Sequence, residues 1–99
     1  MTKSIQIRVR IIGRVQGVCF RAQTKKEADR LVGLKGWVRN RPDGSVEAVF
    51  EGDPASIAQM AGFCRKGPAL SRVDQVQTET KEAVSGFETF AKRVYSPGL

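Results

Sequence analysis

The chain contains no histidine and only two cysteines, Cys19 and Cys64. The first absence removes the commonest metal ligand and the side chain best suited to proton transfer near neutral pH. Two cysteines make no disulfide scaffold, and neither has a second Cys or His at ligand spacing, so no metal site is expected. Reduced thiols are the default reading, although two cysteines leave room for a single bridge. The chain also lacks any apolar run near the ~20 residues that a membrane-spanning helix needs. Its N-terminus leads into an alternating Ile5, Ile7, Val9, Ile11 pattern, not the continuous apolar block of a signal peptide. A cytoplasmic location with no membrane partner is therefore expected. Ninety-nine residues suit one small domain, 1–99, and leave no room for a second.

Acidic residues are also in short supply, ten against seventeen Lys and Arg, for a net charge of +7. Such an excess draws phosphate-bearing ligands, nucleic acid and acidic surfaces alike, and does not choose among them. The basic residues are spread from Lys3 through Arg8, Arg10, Arg14, Lys25, Lys26, Arg39 and Arg41 to Lys66 and beyond. That scatter reads mainly as a solvated face, because Lys and Arg are rarely buried.

Periodicity supplies the elements. Ser4 to Ile12 alternates apolar with polar, as a strand with one buried face does. From about Phe20 to Val32 the period lengthens, with Phe20, Thr24, Ala28, Leu31 and Val32 on one stripe and Gly33 as the stop, predicting a first helix. Lys35 to Asn40 and Ser45 to Glu51 are short strands, joined into a hairpin by the turn-forming Arg41-Pro42-Asp43-Gly44. Asp53-Pro54 supplies an N-cap and a proline at the first helical position. Ile57, Met60, Ala61 and Cys64 then fall at helical spacing before Gly67-Pro68 ends a second helix. Val73 to Glu79 and Phe87 to Tyr95 are the last strands, flanked by breakers. The order is β-α-β-β-α-β with a short extra strand. This is an α+β class protein, a split βαβ pattern packing two helices on one face of a mostly antiparallel sheet.

Between the first strand and the first helix lies Gly13-Arg14-Val15-Gln16-Gly17-Val18-Cys19-Phe20-Arg21. Two glycines free the backbone to turn N–H groups toward a common point, the helix start adds positive potential, and the arginine offers a planar fork. That is the chemistry of an anion cradle, though the glycines alone would equally suit an ordinary strand-to-helix connection. No Gly-Lys-Ser/Thr follows and the G-x-G-x-x-G spacing is missing, which argues against nucleotide hydrolysis. Cys19 stands too close to Arg21 for the backbone between them to encircle a phosphate, and no histidine can serve as its base. It reads as a small residue packed beneath the loop, and Cys64 as part of the second helix's apolar stripe. Trp37 and Phe50 invite comparison with base-stacking aromatics of RNA-binding sheets. The first strand has no aromatic, however, and Ser45–Phe50 does not match the third-strand motif of such domains, so core packing is the better account.

The loop Gly13–Arg21 resembles the signature loop of the acylphosphatase family, and Gly36-Trp37-Val38-Arg39-Asn40-Arg41-Pro42-Asp43-Gly44-Ser45-Val46 resembles that family's second signature. Similarity continues through Glu51-Gly52 and Gly67-Pro68-Ala69-Leu70-Ser71-Arg72-Val73, so it spans nearly the whole chain. The resemblance implies a ferredoxin-like α/β sandwich that hydrolyses acyl phosphates to a carboxylate and inorganic phosphate, without a metal or other cofactor. It implies that residues 13–19 (Gly13, Arg14, Val15, Gln16, Gly17, Val18, Cys19) and Arg21 hold the phosphate, and that Asn40 positions the attacking water. The bound phosphate itself is then left to take the water's proton. Phosphoryl transfer needs positioning and charge stabilisation more than covalent help, which fits a chain without histidine. The expected partners are a small-molecule acyl phosphate and inorganic phosphate or similar oxyanions, acting on a monomer. A non-enzymatic module that binds nucleic acid or phosphate ligands through its basic surface is the competing reading. A phosphate-binding domain of a larger carbamoyl-handling protein is a third, against which stands a chain that starts at Met1 and runs past its last strand. The sequence departs from the family pattern mainly at Phe90-Ala91-Lys92-Arg93-Val94-Tyr95, where basic residues on both alternating faces leave the last strand's register open, and at a frayed Ser96–Leu99 tail.

Overall fold

A computed structural model describes residues 4–82 and 90–93 of the chain. In chain order they form β1 (Ile5–Arg14), α1 (Phe20–Asp29), β2 (Lys35–Asn40), β3 (Val46–Gly52), α2 (Pro54–Lys66), β4 (Arg72–Glu82) and β5 (Phe90–Arg93). The strands make one sheet in the order β4-β1-β3-β2-β5. The first four run antiparallel to their neighbours, and the short β5 adds to the edge parallel to β2. This is the expected ferredoxin-like α+β arrangement, extra strand included.

Alternation in β1 sorts its side chains by face. Ile7, Val9 and Ile11 lie opposite Phe50, Ala48 and Val46 of β3, and all six are buried in the core beneath the helices. Val38 of β2, Phe20 and Ala28 of α1, and Ile57, Met60 and Cys64 of α2 complete that layer. Gly36 pairs with Phe50 on one side and Phe90 on the other. Because Gly36 carries no side chain there, the two rings stack across it with centroids 5.4 Å apart. A Cβ at Gly36 would also run into the Val49 carbonyl.

The sheet's other face carries charge. Gln6, Arg8, Arg10, Glu47, Glu51 and Arg39 alternate with the core residues, and Glu47 is the hub. Its Oε1 lies 2.7 Å from Arg39 Nη2 and 3.3 Å from Arg41 Nη1, and its Oε2 lies 3.9 Å from Arg8 Nη1. Trp37 belongs to this face. It is buried, as core packing requires, but under Arg39, whose guanidinium carbon sits 4.7 Å from the ring centroid, and not among the helices. β3 is consequently buried on both faces, since long arginine stems cover the polar side.

Two expectations need correction. The apolar stripe of the first helix does not reach Val32, which is 96% exposed. α1 ends at Asp29, where the N–H groups of Arg30 and Leu31 donate three residues back, to Glu27 and Ala28. This tighter turn leaves Leu31 half-buried and swings Val32 to solvent. In the last strand, Phe90–Arg93 pairs residue for residue with Gly36–Arg39, so the described part has a clear register. The remainder of the expected Phe87–Tyr95 strand and the Ser96–Leu99 tail lie outside the described residues.

Candidate active site

The two helices begin differently. At α2, Asp53 sits in extended conformation and its carboxylate accepts from the Ser56 N–H at 2.9 Å and the Ser56 hydroxyl at 3.0 Å. Those bonds, the backbone one foremost, hold the Asp53 carboxyl below its ordinary range. At α1 the N-cap is Cys19, in the left-handed region at φ 62°, with no side-chain cap and no acidic residue in the first turn. The first-turn N–H groups of a helix have no intrahelical partner and carry positive potential. Among the described residues, α1 thus presents a helix start that its N-cap side chain does not close and its first turn does not neutralise.

That start borders a cavity of about 340 Å³ lined by Val15, Gly17, Cys19, Phe20, Arg21, Ala22, Asn40 and Lys92. Four elements meet there: the loop after β1, the first turn of α1, the end of β2, and β5. Asn40 follows Val38 by two residues and so shares its helix-facing side. Lys92 pairs with Val38 across the parallel β2–β5 seam and faces the same way. Two cationic side chains, an amide and a helix N-terminus converge, with no carboxylate among the described lining residues.

The expected cradle residues divide. Val15, Gly17, Cys19, Arg21 and Asn40 line the cavity; Gly13, Arg14, Gln16 and Val18 do not. Gly13 and Arg14 remain in β1, opposite Val73 and Arg72 of β4. Gly13, at φ 143°, lies where the register shifts by one residue, and a Cβ there would overlap the Arg72 carbonyl oxygen. Its glycine serves this close strand approach. Val18 is 7% exposed and packs with the core. The Gln16 side-chain amide donates to the carbonyls of Arg41 at 2.7 Å and Ser45 at 2.8 Å, tying the loop to the turn that follows Asn40. That turn is itself braced: the Gly44 N–H donates to the Arg41 carbonyl, and Asp43 accepts from the Ser45 hydroxyl and N–H and contacts Arg10.

Cys19 is not packed beneath the loop. It is exposed, because its left-handed backbone turns the side chain outward, whereas Cys64 is fully buried in α2. Burial pushes the Cys64 thiol up to about 12. Lys92 is the residue that reading the chain overlooked as a site member. The signal was its spacing of two from Phe90, which places both on one face of a strand.

An α+β sandwich with an uncapped helix start, an adjacent arginine and a neutral amide across a small cavity defines an oxyanion-handling protein. The family model for acylphosphatase matches residues 7–92. An acylphosphatase of Rubrobacter xylanophilus is 47% identical over 88 residues, covering 89% of this chain and 79% of that protein. One from Thermococcus kodakarensis is 48% identical over 88 residues, covering 87% and 96%. The crystal structure of an acylphosphatase from Bacillus subtilis matches with a TM-score of 0.84 at 34% identity, covering 90% of this chain and 98% of that one. This chain belongs to the acylphosphatase family.

Proposed function

We propose that the chain hydrolyses acyl phosphates, with the phosphate held by the open start of α1, the loop lining and Arg21, and with Asn40 orienting the water. The observation that carries this reading is the convergence of Arg21 and Asn40 on a single cavity at the uncapped start of α1. Backbone N–H groups of the loop and first turn suit the phosphoryl oxygens, and the Arg21 guanidinium can bond two of them at once. The Asn40 amide can accept from water through its oxygen and donate through its nitrogen, fixing orientation without adding charge. Lys92 adds a second positive charge on the strand side.

In the step itself the water oxygen bonds to phosphorus as the bond from phosphorus to the acyl oxygen breaks. The carboxylate leaves with the electron pair, and a phosphate oxygen takes the water's proton. Acyl phosphates carry a good leaving group, so preorganised charge and position supply most of what the reaction needs. The cations lining the site are the chain's own, which supports hydrolysis without a metal; the proposal further takes the chain as a cytoplasmic monomer acting on a small-molecule substrate. The basic surface does not favour a nucleic-acid module. Arg8, Arg39 and Arg41 surround Glu47, Arg10 contacts Asp43, and Trp37 lies covered beneath Arg39.

The test is turnover of a simple acyl phosphate by wild type, Arg21→Gln and Asn40→Ala. Each substitution is expected to cost at least ~10²-fold, the scale for losing one preorganised contact. Arg21→Gln should also weaken inhibition by inorganic phosphate, and chelator should leave the wild-type rate unchanged. Near-full turnover by Asn40→Ala would refute the water assignment.

A further inference from the structure

On the helix-facing side of the sheet the strands carry apolar residues, among them Ile7, Val9 and Ile11 of β1, Val38 of β2, and Ala48 and Phe50 of β3. β5 keeps the pattern with Phe90, stacked on Phe50, and then breaks it: two residues on, the same face holds Lys92. An ammonium enclosed beneath the helices would be costly. Lys92 is instead exposed, and it lines the cavity at the start of α1 together with Arg21 and Asn40. The arginines of the opposite face have acidic partners, Glu47 for Arg8, Arg39 and Arg41 and Asp43 for Arg10. Lys92 forms no ion pair among the described residues, and no carboxylate is found among the described residues that line its cavity.

Charge balance gives that lysine a use. A fully ionised phosphoryl group carries two negative charges. Arg21 supplies one positive charge, and a helix N-terminus contributes roughly half of one. Without Lys92 the cavity falls short of the charge its ligand brings. With it the sum passes two, supplied from two separate elements, α1 and β5.

We infer that Lys92 is a second phosphoryl-binding cation, and that it makes the site select doubly charged tetrahedral oxyanions over singly charged ones. The inference rests on the reading that the phosphoryl group occupies the cavity at the start of α1. An ammonium is a point charge with three donors, so it can bond whichever phosphoryl oxygen is turned toward β5, while the planar fork of Arg21 fixes two others. The charge that Lys92 meets is present in substrate, transition state and product alike. Its contribution is therefore to binding more than to kcat, unlike that of Asn40. The bound anion also ties β5 to the helix start, and β5 is the last strand of the described sheet, paired with β2.

The experiment measures kcat, KM and the inhibition constants of inorganic phosphate and sulfate across pH in wild type, Lys92→Met and Lys92→Arg. Sulfate stays doubly charged throughout, whereas phosphate passes from monoanion to dianion. A protein group that titrates therefore moves both inhibitors, and the ligand's own charge moves phosphate alone. α1 and β2 pack against β5; α1 presents Arg21 to the cavity, β2 presents Asn40, which does not titrate, and the loop adds the Cys19 thiol. In wild type, phosphate inhibition should tighten relative to sulfate inhibition as pH rises through the second ionisation of phosphate. Lys92→Met should weaken sulfate and dianionic phosphate about tenfold, the low end for a hydrogen bond to a charged group, and raise KM by a similar factor. Its phosphate profile should flatten toward that of sulfate, and Lys92→Arg should recover most of the loss. Unchanged KM and sulfate inhibition in Lys92→Met, or a loss in Lys92→Arg equal to that in Lys92→Met, overturns the assignment. If Arg21→Gln keeps wild-type inhibition by phosphate, the placement of phosphate itself falls. Weakened inhibition in Arg21→Gln beside unchanged inhibition in Lys92→Met removes Lys92 alone.

Discussion

Gln16 donates both protons of its side-chain amide across the molecule, to the carbonyls of Arg41 and Ser45 at 2.7 and 2.8 Å. Arg41 is the residue after Asn40, so this link sets how far the loop proposed to hold phosphate stands from the amide proposed to orient the water. Gln16→Met keeps the length of the side chain and removes both donors. Each neutral, partly buried hydrogen bond contributes about 1 kcal/mol net, so the variant should lose about 2 kcal/mol. For a domain of this size that corresponds to a fall of about 8–16 °C in Tm. The kinetic effect should exceed what lost stability alone would give. Misplacing a positioning group by 1 Å can cost ~10²-fold, so kcat is expected to fall about tenfold or more. Inhibition by inorganic phosphate should move much less, because Arg21 and the α1 N–H groups remain on one rigid unit. Gln16→Glu should be worse at neutral pH, since carboxylate oxygens would face two carbonyl oxygens, and should recover partly on acidification as protonation restores one donor. Thermal melts and steady-state hydrolysis of one acyl phosphate measure both effects. Wild-type Tm and kcat in Gln16→Met would refute the reasoning.

Acid should destabilise the fold through the turn and the α2 cap. Hydrogen bonds from the Ser45 hydroxyl and N–H, with the Arg10 charge, lower the Asp43 carboxyl from its ordinary 3.8 to about 2, and Asp53 is lowered in the same direction. Groups depressed in the folded state stabilise it above their ordinary pKa and lose that contribution as pH falls through the folded value. Tm should therefore hold above about pH 5 and drop between about pH 4 and 2, with a shallower drop in Asp43→Asn. Thiol chemistry should separate the cysteines: under native conditions a maleimide is expected to label Cys19 and spare Cys64 by peptide mass mapping, and equal labelling would contradict the buried thiol. Inorganic phosphate at about 100 times its Kd should stabilise wild type by about 2.7 kcal/mol in denaturant titrations, with a smaller gain for Arg21→Gln at the same concentration.

Local signals in the chain sufficed for the order of elements and for the Arg41–Gly44 turn, because those depend on neighbours: periodicity, a Pro-Asp-Gly run, an Asp-Pro helix start. They failed where a contact bridges distant segments. Lys92 enters the site only through the parallel pairing of β5 with β2, which no local pattern in a four-residue strand specifies. The partners of Gln16 stand 25 and 29 residues away, so its side chain could be read only as one member of a loop. The end of α1 was misplaced for a different reason: Leu31 and Val32 continue the helical spacing, but a turn of three-residue bonds intervenes before the spacing can be used. Cys19 was read by its residue type, as a small buried side chain. Its exposure goes with a backbone angle that composition does not encode.

The contrast between the helix starts shows how this chain divides stability from function. An aspartate cap of the kind found at α2 contributes about 1 kcal/mol, and the sequence supplies it there together with a proline. At α1 the corresponding position holds a cysteine in a conformation that costs an L-residue roughly 1–2 kcal/mol, and its side chain makes no cap hydrogen bond. A chain selected for stability alone would have capped both. Leaving α1 without a cap is costly to the free protein and is offset when an external acceptor binds, for which the proposal supplies an anion in the cavity lined by Arg21 and Lys92. On the proposed placement, phosphate would complete a helix start that Cys19 does not cap, and the energy of satisfying that end would go to holding the substrate's phosphoryl group. The loop is braced from outside the cavity, by the bonds from Gln16 to Arg41 and Ser45 and by the Asp43–Ser45 turn, which leaves those contacts in place when a ligand enters.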